Sequence, residues 1–135
     1  MELKPYEMKL LSMAPCLLPG DILLVDAERT KGSLRKGEIV VYREAGEGLS
    51  KAHRFFAFDD SAFGLSTKGD RNIQWDEHTD HTVFQGVALY RLRGRQKTKL
   101  KFRWIYMVLS YFNLFPGQRL PSWCNRTNFL RWFRS

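Results

Sequence analysis

Short runs of branched apolar residues, each introduced by a glycine turn, dominate the first two thirds of the chain. Asp21–Asp26 (DILLVD) follows Pro19-Gly20, and Glu38–Arg43 (EIVVYR) follows Lys36-Gly37. Runs this short, rich in Ile, Val and Leu and bounded by turn residues, read as β-strands and leave no room for long helices. A third strand is expected over 49–58, with Gly46 and Gly48 before it and Asp59-Asp60 after. A short fourth is expected over 61–67. A fifth is expected over 82–92, with Gly86 inside it marking a bulge or bend. Residues 68–80 are polar and read as a loop. The expected fold is therefore mostly β and antiparallel. With 135 residues, of which 44% are hydrophobic, the chain can bury one modest core.

Charge divides the chain in two. Residues 1–90 carry 11 Lys/Arg and 14 Asp/Glu, whereas residues 91–135 carry 11 Lys/Arg and no acid. The same tail holds 10 of the 19 aromatic residues. The expected organisation is a body over 1–95 and a basic, aromatic extension over 96–135. Such an extension suits an anionic partner, a lipid surface or a nucleic acid. Its period is helical. Ile105, Val108, Leu109, Phe112 and Phe115 would share one face, and Arg103, Tyr106, Ser110 and Asn113 the other, with Pro116-Gly117 as the stop. A helix over 104–115 would be about 18 Å long, too short for the ~30 Å hydrocarbon layer. It could lie in a membrane interface, pack on the body, or pair two subunits. Trp123–Phe133 mixes aromatic and basic residues in the same manner. No run approaches a membrane span, and residues 1–11 lack the features of a secretory leader.

Four segments in order carry the chemistry. They are Ser12-Met13-Ala14-Pro15-Cys16-Leu17-Leu18-Pro19-Gly20-Asp21; Gly37-Glu38-Ile39-Val40-Val41-Tyr42; Ala52-His53-Arg54-Phe55; and Thr67-Lys68-Gly69-Asp70-Arg71-Asn72 followed by Asp76. Together they resemble the type I signal peptidase family. The first matches its S-M-x-P-x-L-x-x-G-D pattern at every specified position. Gln85-Gly86-Val87 is similar to its closing G-x-V strand. The resemblance covers roughly residues 8–92. Where bacterial-type members have Lys, this chain has His53, as in the archaeal and endoplasmic-reticulum-type branch that uses Ser, His and an Asp.

The resemblance implies a small antiparallel β fold with a peptide groove, and an endopeptidase that needs no metal or organic cofactor. Ser12 would be the nucleophile and His53 its base, with Asp76 or Asp70 orienting the imidazole. Asp76 is favoured for that role and Asp70 for holding the loop. A serine hydroxyl needs such a base to attack an amide. Lys51, on the same strand face as His53, is the spare base. Cys16 stands at a variable motif position as a small apolar residue. His78 and His81 read as solvated loop residues, with an H-x-x-H metal pair as the remote alternative. Asn125-Arg126-Thr127 matches a glycosylation pattern that also arises by chance.

Two departures stand out. Leu11 and Leu10 occupy the positions where relatives carry a small residue and often a hydroxyl, so an oxyanion would rest on backbone N–H groups. Only 11 residues precede Ser12, where relatives have a membrane anchor. The expected setting is the cytoplasm or the membrane periphery, and the expected substrate a precursor or leader peptide. Two further readings stand beside this one. One is a self-cleaving regulator of the same fold whose basic tail binds nucleic acid or membrane, although His stands where those proteins have Lys. The other is a peptide-binding relative that does not cleave.

Overall fold

The computed structural model describes residues 2–100 and 104–114. The strands are β1 (Leu3–Glu7), β2 (Ile22–Asp26), β3 (Ile39–Glu44), β4 (Lys51–Phe58), β5 (Leu65–Lys68), β6 (Thr82–Arg93) and β7 (Gln96–Lys99), followed by one helix, α1 (Trp104–Tyr111). All pairings are antiparallel. The sheet runs β1-β2-β6-β3-β4-β5, with β7 also on β6. This is the mostly β fold expected.

The long β6 organises the sheet. Its second half pairs with β2, its first half with β3, and its last residues with β7. Gly86 has φ +145°, and a Cβ there would lie 2.4 Å from the carbonyl oxygen of Asp26. The register slips beside it, between Val41 and Tyr42 of β3, so the bulge expected at Gly86 is present.

Strands β3 and β4 are central, and their side chains are buried on both faces. Alternation sends Val40, Tyr42 and Val87 into one cluster with Phe55, Phe63 and Leu65. Ile39, Val41, Ala52 and Ala88 enter another with Met8, Met13, Leu17, Leu23 and Val25. His53 lies opposite Val40, and Arg54 opposite Ile39. Consecutive residues of β4 therefore serve the two different sides.

Several expectations are corrected. β1 was not anticipated, because LKPYE contains a proline; it forms an edge of the sheet, where a missing N–H is tolerated. The fourth strand is shorter than expected, Leu65–Lys68, because residues 59–64 form a turn closed by Asp59 N–H to the Gly64 carbonyl at 3.0 Å. β7 is polar and exposed, and pairs with β6 across the Gly94-Arg95 turn.

Helix α1 ends at Tyr111, before Phe115, because Asn113 adopts a left-handed φ of 57° and Leu114 N–H closes back on the Leu109 carbonyl at 2.8 Å. Its buried side also differs from the expected one. Ser110 is buried and Phe112 is 55% exposed. Three ring contacts accompany this orientation. Tyr106 lies 5.9 Å from the Arg54 guanidinium, and Tyr111 meets Phe56 and Trp75. Among the described residues no helix is long and apolar enough to cross a membrane. The expectations for Arg103, Phe115, Pro116-Gly117, residues 123–133 and Asn125 lie outside the described residues.

Candidate active site

Ser12 stands in a loop between β1 and β2 whose two ends are tied together. Met8 N–H bonds the Asp21 carbonyl, and Gly20 N–H bonds the Met8 carbonyl, both at 2.8 Å. Gly20 makes this closure at φ +91°. Asp21 holds the loop from inside, accepting from Leu18 N–H at 2.8 Å and from Arg93 at 2.8 and 2.9 Å. Met13 and Leu17 are fully buried and anchor the turn, which leaves Ser12 half-buried at its crest.

The 69–72 loop after β5 supports Ser12 from the other side. Arg71 N–H donates to the Ser12 carbonyl at 2.8 Å. A Cβ on Gly69 would fall 2.8 Å from that carbonyl oxygen and 3.0 Å from the Ser12 Cβ, so only glycine permits the approach. The buried Lys68 clamps this loop, donating to the carbonyls of Asn72 at 2.6 Å and Gly69 at 3.1 Å. Burial pushes its pKa down to about 8, against the opposing pull of Asp70 and Asp76.

Three of the four expected site residues meet. Ser12 Oγ lies 3.0 Å from His53 Nε2, and His53 Nδ1 lies 2.5 Å from Asp76 Oδ2. The same carboxylate oxygen accepts from the Tyr42 hydroxyl at 3.0 Å and from Thr67 Oγ1 at 2.7 Å. Burial works against charge on Asp76, but His53, Thr67 and Tyr42 outweigh it and hold the carboxyl below its usual range. A carboxylate can only accept, so Nδ1 of His53 carries the proton and Nε2 presents a lone pair to Ser12. Burial, and then the charge of Asp76, push the Tyr42 phenol well above its ordinary pKa, so it stays a neutral donor.

The fourth residue, Asp70, stands apart. It is fully buried and forms a two-pronged ion pair with Arg54, at 2.7 and 2.6 Å. Arg54 also donates to the Gly37 carbonyl at 2.8 Å. Burial disfavours the guanidinium charge, but Asp70 more than restores it, leaving the Arg54 pKa raised. The pair braces the strand and the loop from the side away from His53.

Lys51 lines a small recess of about 10 Å³ beside Ser12, with Met8, Leu10, Ser50 and Ala52, and bonds neither Ser12 nor His53. Cys16 is half-buried, and burial pushes its thiol pKa up, as for an inert side chain. His81 is exposed, as expected. His78 is not a solvated loop residue: it is half-buried against Tyr42 and Phe63 and bonds Thr67. Tyr42 and Thr67 were not singled out from the sequence. A signal existed for Tyr42, two residues beyond Val40 and therefore on the strand face of Val40's partner His53. Among the described residues no group of three or more His, Cys, Asp or Glu is placed to hold a metal ion.

A larger concavity of about 1080 Å³ lies elsewhere, against Arg54, Ile39, Arg91 and Lys99, and none of Ser12, His53 and Asp76 lines it.

A hydroxyl, an imidazole and a carboxylate in one hydrogen-bonded line on a small antiparallel β fold form an arrangement chemically able to activate an oxygen nucleophile. Comparison with known proteins points the same way. Over 64 residues the chain is 36% identical to the signal peptidase complex catalytic subunit sec11 of Dictyostelium discoideum, a match covering 45% of this chain and 35% of that protein. The match spans about a third of its relative's length and supports a relationship to the signal peptidases. No family model matches the chain. No solved structure matches it either.

Proposed function

We propose that the protein is a serine endopeptidase of the signal peptidase kind, acting on a precursor or leader peptide through Ser12, His53 and Asp76. The observation that carries this reading is the unbroken line from Ser12 Oγ to His53 Nε2, 3.0 Å, and from His53 Nδ1 to Asp76 Oδ2, 2.5 Å. In the reaction, His53 Nε2 takes the Ser12 proton as Oγ attacks the scissile carbonyl carbon. Asp76 stabilises the imidazolium that forms. The proton then passes to the leaving amine, the C–N bond breaks, and an ester on Ser12 remains. Water, deprotonated by the same Nε2, hydrolyses that ester and restores the hydroxyl.

The backbone N–H groups of Ser12 and Met13 have no acceptor among the described residues, which suits them to receive the oxyanion. The recess beside Ser12 is small, about 10 Å³, which favours a small side chain next to the cleaved bond. The peptide would bind extended, adding a strand beside the site. Asp70 serves by keeping Arg54 and the loop in place. The basic extension would hold the enzyme against an anionic surface through residues 101–135, nucleic acid being the lesser candidate and self-association through α1 a further one.

The test is cleavage of a mixed peptide library by the full chain, read by mass spectrometry. The expected result is cutting after small residues, reduced by at least about 10³-fold in both Ser12→Ala and His53→Ala. Turnover that persists in Ser12→Ala overturns the proposal.

A further inference from the structure

The hydrogen bonds behind His53 continue past Asp76. Thr67, fully buried on β5, sends its hydroxyl proton to Asp76 Oδ2 at 2.7 Å. A hydroxyl has one proton to give. At its other contact, 2.8 Å from His78 Nε2, Thr67 Oγ1 must therefore accept, and the imidazole must donate. His78 accordingly carries its proton on Nε2. Its Nδ1 is buried without a partner among the described residues, so a proton there would find no acceptor among them.

The ring is also held in plane. It meets Tyr42 edge-on, with centroids 4.8 Å apart at 82°, and lies 4.5 Å from Phe63. The direction of this donation matters. With the proton on Nδ1, Nε2 would instead attract the Thr67 proton, and Asp76 would keep two donors rather than three.

We propose that His78 is a positioning residue for the Ser12–His53–Asp76 site, acting through Thr67: its Nε2–H fixes the Thr67 hydroxyl so that the proton points at Asp76. The proposal rests on the reading of that site given above. It requires a neutral ring. Burial is the main influence and lowers the His78 pKa; Asp76 beside it, Glu44 at the end of β3 and Asp59 in the β4–β5 turn pull the other way, and His53 on β4 adds to the lowering. Tyr42, which also faces the ring, stays uncharged.

The experiment uses the full-length ¹⁵N-labelled chain near pH 7. Two-bond nitrogen–proton correlations should show His78 with a proton on Nε2 and a bare Nδ1. The proton in the short His53–Asp76 bond should resonate far downfield. His78→Leu should move that resonance further downfield, because a Thr67 hydroxyl no longer oriented and polarised by a donor gives Asp76 a weaker hydrogen bond and Asp76 leans more on His53, and should lower kcat about 3–10-fold with KM unchanged. His78→Gln, whose amide can replace the lost donor, should restore both. In a Thr67→Val background, His78→Leu should add nothing further.

A protonated Nδ1 in the unmodified protein overturns the proposal. So does an equal loss in the Leu and Gln variants, which would mean packing alone, or a full effect of His78→Leu without the Thr67 hydroxyl. The tautomer and the resonance are read without turnover. A chain with the expected tautomer and no reactive Ser12 would therefore sink the peptidase reading and leave the His78–Thr67–Asp76 bonds standing.

Discussion

Replacing Asp70 by Asn should separate the two aspartates that follow β5. Asp70 has no exposed surface, and its partner Arg54 retains 2% of its own. Asn cannot balance the guanidinium, and its amide group points donors at the donors of Arg54. Breaking a buried pair on one side costs about 3–5 kcal/mol, because the remaining charge has neither water nor a counter-ion. A domain of this size is stable by about 5–15 kcal/mol, so the variant should lose about a fifth of it or more. With a urea slope of about 1.5 kcal/mol per molar, the unfolding midpoint should fall by about 2–3 M. Arg54→Met combined with Asp70→Leu should recover most of the loss, since an apolar pair leaves no charge stranded. Asp76→Asn should differ from Asp70→Asn. Its midpoint should fall less, because no permanent charge is left stranded, whereas kcat should fall by about 10⁴-fold as His53 loses the group that fixes its tautomer. A midpoint shift under about 0.5 M for Asp70→Asn would refute the buried-pair argument.

Two further outcomes follow from the loop beneath Ser12. Gly69→Ala should leave the fold intact but push the Ser12 backbone away, lowering kcat by about 10–100-fold in steady-state peptide cleavage. The second concerns pH. Lys68 titrates near 8 in the fold, against its ordinary value of 10.5. Between these limits the unfolded chain binds the extra proton, so stability should rise with pH from about 8 to about 10.5, by about 3 kcal/mol at most. Urea midpoints across that window, compared with Lys68→Met, check the sign. A flat profile in the unmodified chain, or the same rise in Lys68→Met, would refute it.

Much of the sheet was legible because its central strands are buried on both faces and so consist of branched apolar runs between glycine turns. β2 (ILLVD) and β3 (IVVYRE) carry that signature; β4 (KAHRFFAF) and β6 are aromatic or mixed, and were legible from the turn residues that bound them and the glycine inside β6. β1 and β7 do not, because edge strands exposed to water keep polar residues and tolerate Pro5; only their pairing partners reveal them. The register slip at Gly86 was announced by the glycine itself. The end of α1 was not, since Asn113 stops the helix by its backbone angle and not by a residue type that forbids continuation. At the site, Ser12, His53 and the two aspartates stood out through ordered motifs. The division of labour between Asp70 and Asp76 depends on which sheet face each meets, and six residues of loop leave that open. Thr67 and His78 were silent for a related reason: a threonine or a histidine in a polar stretch carries no sign of what lies across the fold.

The most direct measurement is the mass of the full chain after exposure to an electrophilic serine probe, a lipopeptide or a fluorophosphonate. A single adduct on Ser12, lost in His53→Ala, is the expected result. An unlabelled protein, or labelling of Ser12 at an undiminished rate without His53, would contradict an activated hydroxyl at this site.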